Sequence, residues 1–164
     1  MANARLPLLF LDIDGVLNPL SNTLPPGFQA YFIDGYSVSL SDRHGRWLRE
    51  LHETFEIVWA STWEHSANVA VGPLLGLPLL GVVEFGNDRV GDTWKLPAVS
   101  ERAGDRPLVW IDDELYEDAQ SWSRARDAPT LLVRPLASDG FTKSNFRSVV
   151  KFGERLGSPR SGDR

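Results

Sequence analysis

The amino-acid sequence predicts an α/β three-layer sandwich on a mostly parallel sheet. Short apolar runs at Leu8-Leu9-Phe10-Leu11, Ile57-Val58-Trp59-Ala60 and Leu108-Val109-Trp110-Ile111 read as strands buried on both faces, and helical stretches alternate with them. Residues able to do chemistry recur where those runs end: Asp12 and Asp14, then Ser61, then Asp112 and Asp113. In an open parallel sheet the ligand crevice lies beyond the carboxyl ends of the strands, so pattern and fold rule indicate the same place.

Each element has its own signal. Leu8–Leu11 is the first strand, and residues 18–27 form a loop rich in Asn, Pro and Ser. Phe28–Leu40 reads as a β-hairpin, with Asp34-Gly35 supplying a two-residue type I′ turn. Ser41 or Asp42 caps a helix running to about Thr54, with Trp47, Leu48 and Leu51 on its inner face. A strand over Phe55–Ala60 follows, then a helix from about Glu64 to Val71, broken by Gly72-Pro73. Residues 72–81 are loop, and Leu79–Phe85 is a short third strand. A helix over about Thr93–Ala103 carries Lys95 and tolerates Pro97 only in its first turn. Leu108–Ile111 is a strand, a helix follows to about Ala125, and Thr130–Val133 is the last strand. Thr142 caps a final helix, Lys143 to about Leu156.

A chain of 164 residues, 42% hydrophobic and 24% charged, suits one domain, here 1–156, with residues 157–164 expected to be a disordered tail. Cysteine is absent, which excludes a disulfide scaffold, a thiolate metal site and a cysteine nucleophile. No apolar run reaches the roughly 20 residues of a membrane span, and the N-terminal residues lack the apolar core of a signal peptide, so a cytoplasmic location and no membrane partner are expected. The net charge of −5 argues against indiscriminate binding to nucleic acid. Residues 134–164 nevertheless carry seven Lys/Arg against three Asp/Glu, a net of +4 against −9 for residues 1–133. Such a face is able to meet a phosphorylated polymer, although a solvated helix face is the ordinary explanation.

Four carboxylates, Asp12, Asp14, Asp112 and Asp113, gathered in one crevice would repel one another unless a cation intervened. Hard oxygen donors without His or Cys favour Mg²⁺, which keeps waters and recruits phosphate oxygens. Lys95 adds a positive charge for the same group and Ser61 a hydroxyl, or Thr62 if the strand ends one residue later. The set reads as phosphoryl transfer, with Asp12 as a covalent nucleophile and Asp14 as the acid and base. Gly15 lets the backbone turn sharply beside the ligand.

Phe10-Leu-Asp12-Ile-Asp14-Gly-Val-Leu17 resembles the first motif of the haloacid dehalogenase (HAD) superfamily in its phosphatase form. Ile57-Val-Trp-Ala-Ser61, Lys95 and Val109-Trp-Ile-Asp112-Asp113 resemble the second, third and fourth motifs, in the family's order over about residues 8–133. The wording around them is most similar to small bacterial HAD domains associated with RNA-repair proteins. The resemblance implies a Rossmann-like sheet and an aspartyl-phosphate intermediate on Asp12, itself a Mg²⁺ ligand. It further implies Asp14 as acid and base with its backbone carbonyl on the metal, Ser61 holding the phosphoryl group, and Lys95 the aspartyl phosphate. Asp112 and Asp113 would complete the metal site, one of the two directly and the other through water.

Dehalogenating members lack an acid two residues after the nucleophile, so Asp14 favours a phosphatase or phosphotransferase. Only the loop and hairpin at about 18–40, and residues 62–94, are available as a cap, which suits a phosphate on a large molecule such as a nucleic-acid end or a phosphoprotein, with small substrates also open; the preferred substrate is a nucleic-acid end or a nucleotide. The rival of another class is a non-catalytic phosphate- or partner-binding module on the same fold. A phosphorylated receiver domain fits poorly, because there the acid pair precedes the phospho-acceptor.

The other conspicuous residues have plainer expectations. His44, His52 and His65 lack ligand spacing and are expected on helix surfaces, and Glu117 at an exposed helix position. Trp59 and Trp110 lie in strands and read as core. Trp63 and Trp94, beside motif positions, are expected to pack, base stacking being the alternative. Phe28, Tyr31, Phe32 and Tyr36 are expected to fill the hairpin's own inner face, a lid or a substrate platform being the alternative.

Overall fold

The computed structural model describes residues 5–157. Leu8–Leu11 (β1) is the middle strand of a five-stranded parallel sheet, and the period-two alternation of its side chains divides the molecule into layers. Leu9 and Leu11 face one side, with Ile57, Trp59, Val109 and Ile111 from the neighbouring strands. Leu8 and Phe10 face the other with Val58, Leu108 and Trp110.

The hairpin comes next in the chain, Gln29–Ile33 (β2) antiparallel to Tyr36–Leu40 (β3). Its turn has Asp34 at φ 50° and Gly35 at φ 85°, the two positive values that a type I′ turn requires. Helix Asp42–His52 (α1) starts at Ser41, whose hydroxyl accepts from the Arg43 amide, and buries Leu48 and Leu51. Trp47 of α1 stacks on Phe146, their rings 5.0 Å apart. Glu56–Trp59 (β4) and Gly81–Val82 (β5) pair on one side of β1; Leu108–Ile111 (β6) and Thr130–Val133 (β7) pair on the other. Leu96–Ala103 (α2) and Glu117–Ala125 (α3) cover the Phe10 face through Val99, Ala103, Ala119 and Trp122. Lys143–Gly157 (α4) joins α1 over the Leu9 face. Thr142 and Asn145 cap α4 reciprocally, each side chain accepting from the other's backbone amide.

The sheet order β5-β4-β1-β6-β7 reverses direction between β1 and β6, the switch point beyond whose carboxyl strand ends such sheets bind their ligands. The three-layer α/β architecture is therefore as expected, with the hairpin as a small separate flap. Among the described residues no helix is long and apolar enough to cross a membrane. Of the tail expected from residue 157, Gly157 closes α4, and residues 158–164 lie outside the described residues.

Several local expectations are corrected. The helix expected over Glu64–Val71 is only a π turn at Ala67–Val71, followed by a 3₁₀ turn at Pro73–Leu75. Glu64 sits at φ 45°, outside helical space, and Asn68 is bound elsewhere, accepting from the Trp59 indole and the Leu80 amide. β5 is shorter than Leu79–Phe85 because the chain peels away after the Val83 amide bonds Trp59, and the Phe85 amide turns to Glu64. α2 starts at Leu96 rather than Thr93, because the Thr93 amide and hydroxyl both donate to Asp118; Pro97 does fall in its first turn.

His44 is the clearest reversal. It is fully buried on α1, its Nε2 2.7 Å from the Phe141 carbonyl, and burial lowers its pKa to about 4, so it packs as a neutral ring. His65 does lie on the surface, beside Glu84, and Glu117 is exposed and paired with Arg124. In the hairpin, Val38 and Leu40 fill the inner face, and Tyr31 and Ile33 pack against the core. Phe32 and Tyr36 do not, being 80% and 68% exposed. Phe32 alternates to the outer face, and Tyr36, near the turn, stands beyond the core opposite the Trp63 ring.

Candidate active site

Strand pairing continues past the regular ladder and carries the acids with it. The Asp12 amide donates to the Ile111 carbonyl at 3.1 Å and the Asp112 amide to the Val133 carbonyl at 3.1 Å. Because Leu11 and Ile111 are in register, Asp12 and Asp112 leave adjacent strands side by side. Carboxylate oxygens of Asp12, Asp112 and Asp113 lie within 4.8 Å of one another. Lys95, at the start of α2, sends its ammonium into the group: Nζ is 2.7 Å from Asp112 Oδ2 and 3.1 Å from Asp12 Oδ1, and it donates to the Ala60 carbonyl at 3.0 Å. Asp112 Oδ1 also accepts from the Glu114 amide at 2.9 Å.

This cluster is nearly dry. Asp12 is 6% exposed, Lys95 5% and Asp112 1%. Burial holds the Asp12 carboxyl well above the usual carboxylate range; Lys95 pulls it back and Asp112 pushes it further up. Burial alone would lower Lys95, but Asp12 and Asp112 outweigh it and hold the ammonium above its ordinary value. Asp113 is raised by its partial burial and then by the charge of Asp112. Three carboxylates against one ammonium leave a formal charge of −2 in this pocket. A hard divalent cation fits that donor set in both charge and chemistry.

Asp14 stands apart from the three. Its carboxylate takes Asn18 Nδ2 on Oδ1 at 2.9 Å and the Trp63 indole N–H on Oδ2 at 3.0 Å, which fixes both oxygens toward a neighbouring cleft. Ser61, at the end of β4, is fully buried, and its hydroxyl accepts from the Trp63 amide at 3.2 Å. Thr62 is exposed and lines the cleft instead. Asn18, and Trp63 as a partner of Asp14, were not singled out from the sequence for this role. Only the four-residue step from Asp14 to Asn18 hinted at the first, and nothing local signals the second. Trp94 packs edge-on against Phe85 and beneath the Arg89 guanidinium, while Trp59 and Trp110 are fully buried as expected.

Gly15 makes the close approach possible. Its φ of 79° is disfavoured for other residues, and a Cβ there would collide with the Asp113 carboxyl group. Gly15→Ala is expected to cost about 1–3 kcal/mol in chemical denaturation. Unchanged stability would mean that Asp113 moves aside freely.

The family model described as "HAD domain in Swiss Army Knife RNA repair proteins" matches residues 8–146, a span running from β1 into α4. No curated protein and no solved structure matches the chain. On that match, and with the HAD-like sheet beneath it, the chain belongs to the family of HAD domains found in Swiss Army Knife RNA repair proteins.

Proposed function

We propose that the chain is a Mg²⁺-dependent phosphohydrolase that cleaves phosphomonoesters through an aspartyl phosphate on Asp12, and that its substrate is a phosphorylated nucleic-acid end or a nucleotide. The observation that carries this reading is the buried cluster of Asp12, Asp112 and Asp113 with Lys95 bonded to two of them. Those three carboxylates, with the Asp14 backbone carbonyl, would hold the ion, which when bound supplies positive charge against the phosphate oxygens.

The chain's own groups then divide the work. A carboxylate oxygen of Asp12 attacks phosphorus in line, and the bond from phosphorus to the ester oxygen breaks. Asp14 delivers a proton to the departing alkoxide, releasing the alcohol. Water next attacks the phosphorus of the acyl phosphate and Asp14 takes its proton. The bond to Asp12 breaks, and inorganic phosphate leaves with the starting carboxylate restored. Lys95 neutralises negative charge on Asp12 and on the transferring group. Ser61 holds a phosphoryl oxygen, while Thr62 faces the rest of the substrate.

Support for a nucleic-acid substrate comes from the family's description and from α4. Lys143, Arg147, Lys151 and Arg155 follow one another at four-residue steps on that helix, all exposed, and among the described residues none is paired with a carboxylate. The helix begins just after residues 137–141, which hydrogen-bond to Leu20 and Val16 of the loop that follows Asp14. The ridge therefore starts at the crevice end of the sheet.

The test is hydrolysis of an aryl phosphate with Mg²⁺ or with EDTA, followed by phosphorylated oligonucleotide ends and nucleotides. Turnover is expected only with Mg²⁺, and Mg²⁺ at 100 times its Kd should stabilise the fold by about 2.7 kcal/mol. Added glycerol that captures the phosphoryl group would mark a phosphotransferase. Absence of turnover on every substrate would leave a non-catalytic phosphate- or partner-binding module.

A further inference from the structure

A cleft of about 570 Å³ opens beside Asp14, between the hairpin turn and residues 62–66, well within the size range of small-molecule sites. We infer that it is a subsite for the planar ring of the leaving alcohol, a nucleobase of a single nucleoside, with Trp63 as its fixed wall and Tyr36 as its movable edge. The inference deepens the phosphohydrolase reading of the same site and rests on it for the words "leaving alcohol".

Trp63 is half-buried and cannot turn freely, since its indole N–H is held on Asp14 Oδ2 at 3.0 Å. Its ring is thereby set against the carboxylate that would protonate the departing oxygen. Tyr36 lies across from it, ring centroids 6.5 Å apart and planes at 61°, on the hairpin face that carries the buried Val38 and Leu40. Yet Tyr36 is 68% exposed, so it fills no core. An aromatic ring that borders a cleft, mostly exposed and touching the molecule's aromatic residues only at the edge of Trp63, is suited to closing on another ring.

The remaining lining gives the chemistry of the occupant. Asp34, Ser37, Thr62 and Ser66 offer carboxylate and hydroxyl oxygens, suited to sugar hydroxyls and base N–H groups. No Lys or Arg lines the cleft, while Asp14 and Asp34 do. A second phosphate is therefore unwelcome there, and one uncharged nucleoside fits. The basic ridge of α4 lies outside the cleft, so any further phosphodiesters must leave it.

Two independent readouts test the inference. In the first, kcat and KM are measured for adenosine 3′- and 5′-monophosphate against ring-free β-glycerol phosphate. Tyr36→Ala should raise KM for the better nucleotide about tenfold with kcat within about twofold, leave β-glycerol phosphate within about twofold, and be rescued by Tyr36→Phe. In the second, adenosine and ribose are titrated into the protein while the indole N–H resonance of Trp63, assigned with Trp63→Phe, is followed. Adenosine should move it and ribose should not, and Tyr36→Ala should weaken the adenosine titration about tenfold. An unmoved resonance, an equal response to ribose, or equal effects of Tyr36→Ala on both substrate types would each overturn the subsite. Adenosine binding without any turnover would keep the subsite and remove the phosphohydrolase reading. Turnover without a response to adenosine would do the reverse.

Discussion

Asp12→Asn should abolish Mg²⁺-dependent hydrolysis, by about 10⁴-fold or more, while making the metal-free protein more stable. The loss follows from the proposed chemistry: the amide keeps the size of the side chain but is no longer a carboxylate nucleophile. The gain follows from the electrostatics. Asp12 is buried, and the Asp112 carboxylate is packed beside it under one shared ammonium. Its carboxyl stands well above the usual range in the fold, so the folded state holds that proton more tightly than the unfolded chain. That contribution to stability is present below the ordinary carboxylate range and disappears as pH rises through the raised value. Wherever Asp12 is ionised it is a burden on the metal-free fold, and the amide removes it. A gain of about 1 kcal/mol, or about 2–4 °C in Tm, is expected in EDTA and should shrink toward acid pH. A mutant as active as wild type would remove Asp12 from the mechanism, and a lower Tm in EDTA would contradict the electrostatic account.

Lys95→Met should have the opposite effect on stability. Methionine matches the aliphatic part of the lysine side chain without its ammonium and leaves Asp12, Asp112 and Asp113 with no cation among them. Removing one partner of a buried ion pair costs about 3–5 kcal/mol, because the remaining charge has neither water nor counterion. At this chain length that is about 6–20 °C in Tm. The deficit should narrow as pH falls, since protonation of the carboxylates relieves the repulsion. It should also narrow with Mg²⁺, which would supply the missing charge. Thermal melts at two pH values, with Mg²⁺ and with EDTA, read all of this at once. A variant that melts like wild type in EDTA would show that the lysine is not what balances the acids.

The architecture was legible in the sequence because the central strands are buried on both faces. Runs such as Leu8-Leu9-Phe10-Leu11 and Leu108-Val109-Trp110-Ile111 have no polar residue to place in water, and they are followed directly by the acids. The helix expected over 64–71 failed because local propensity yielded to tertiary hydrogen bonds. Asn68 is committed to the Trp59 indole and to Leu80, and no periodicity encodes those partners. His44 misled for a similar reason: the carbonyl that it meets, that of Phe141, is 97 residues away. At the site, the residues of the four motifs could be named from the sequence because each falls at a strand end or helix start. Which carboxylates share a pocket could not, since that depends on register across the switch point. Asp14, two residues beyond Asp12, is held by Asn18 and Trp63 and lies outside the trio that Asp12 joins.

That register has a consequence for how the chain can vary. Asp12 and Asp112 are 100 positions apart, yet their spacing is set by one rung of the β1–β6 ladder, about 4.8 Å. The rung acts as a ruler that is indifferent to the length of chain between its ends. The β2–β3 flap, whose two strands pair only with each other, adds no rung to that ladder, and its ties to the body are the packing of Val38 and Leu40 and the bond from the Ser39 amide to Asn18. A one-residue slip of β6 against β1 would instead turn Asp112 to the opposite face and dismantle the charge balance. The molecule thus separates a part that measures, the β1–β6 ladder, from a part that covers, the hairpin.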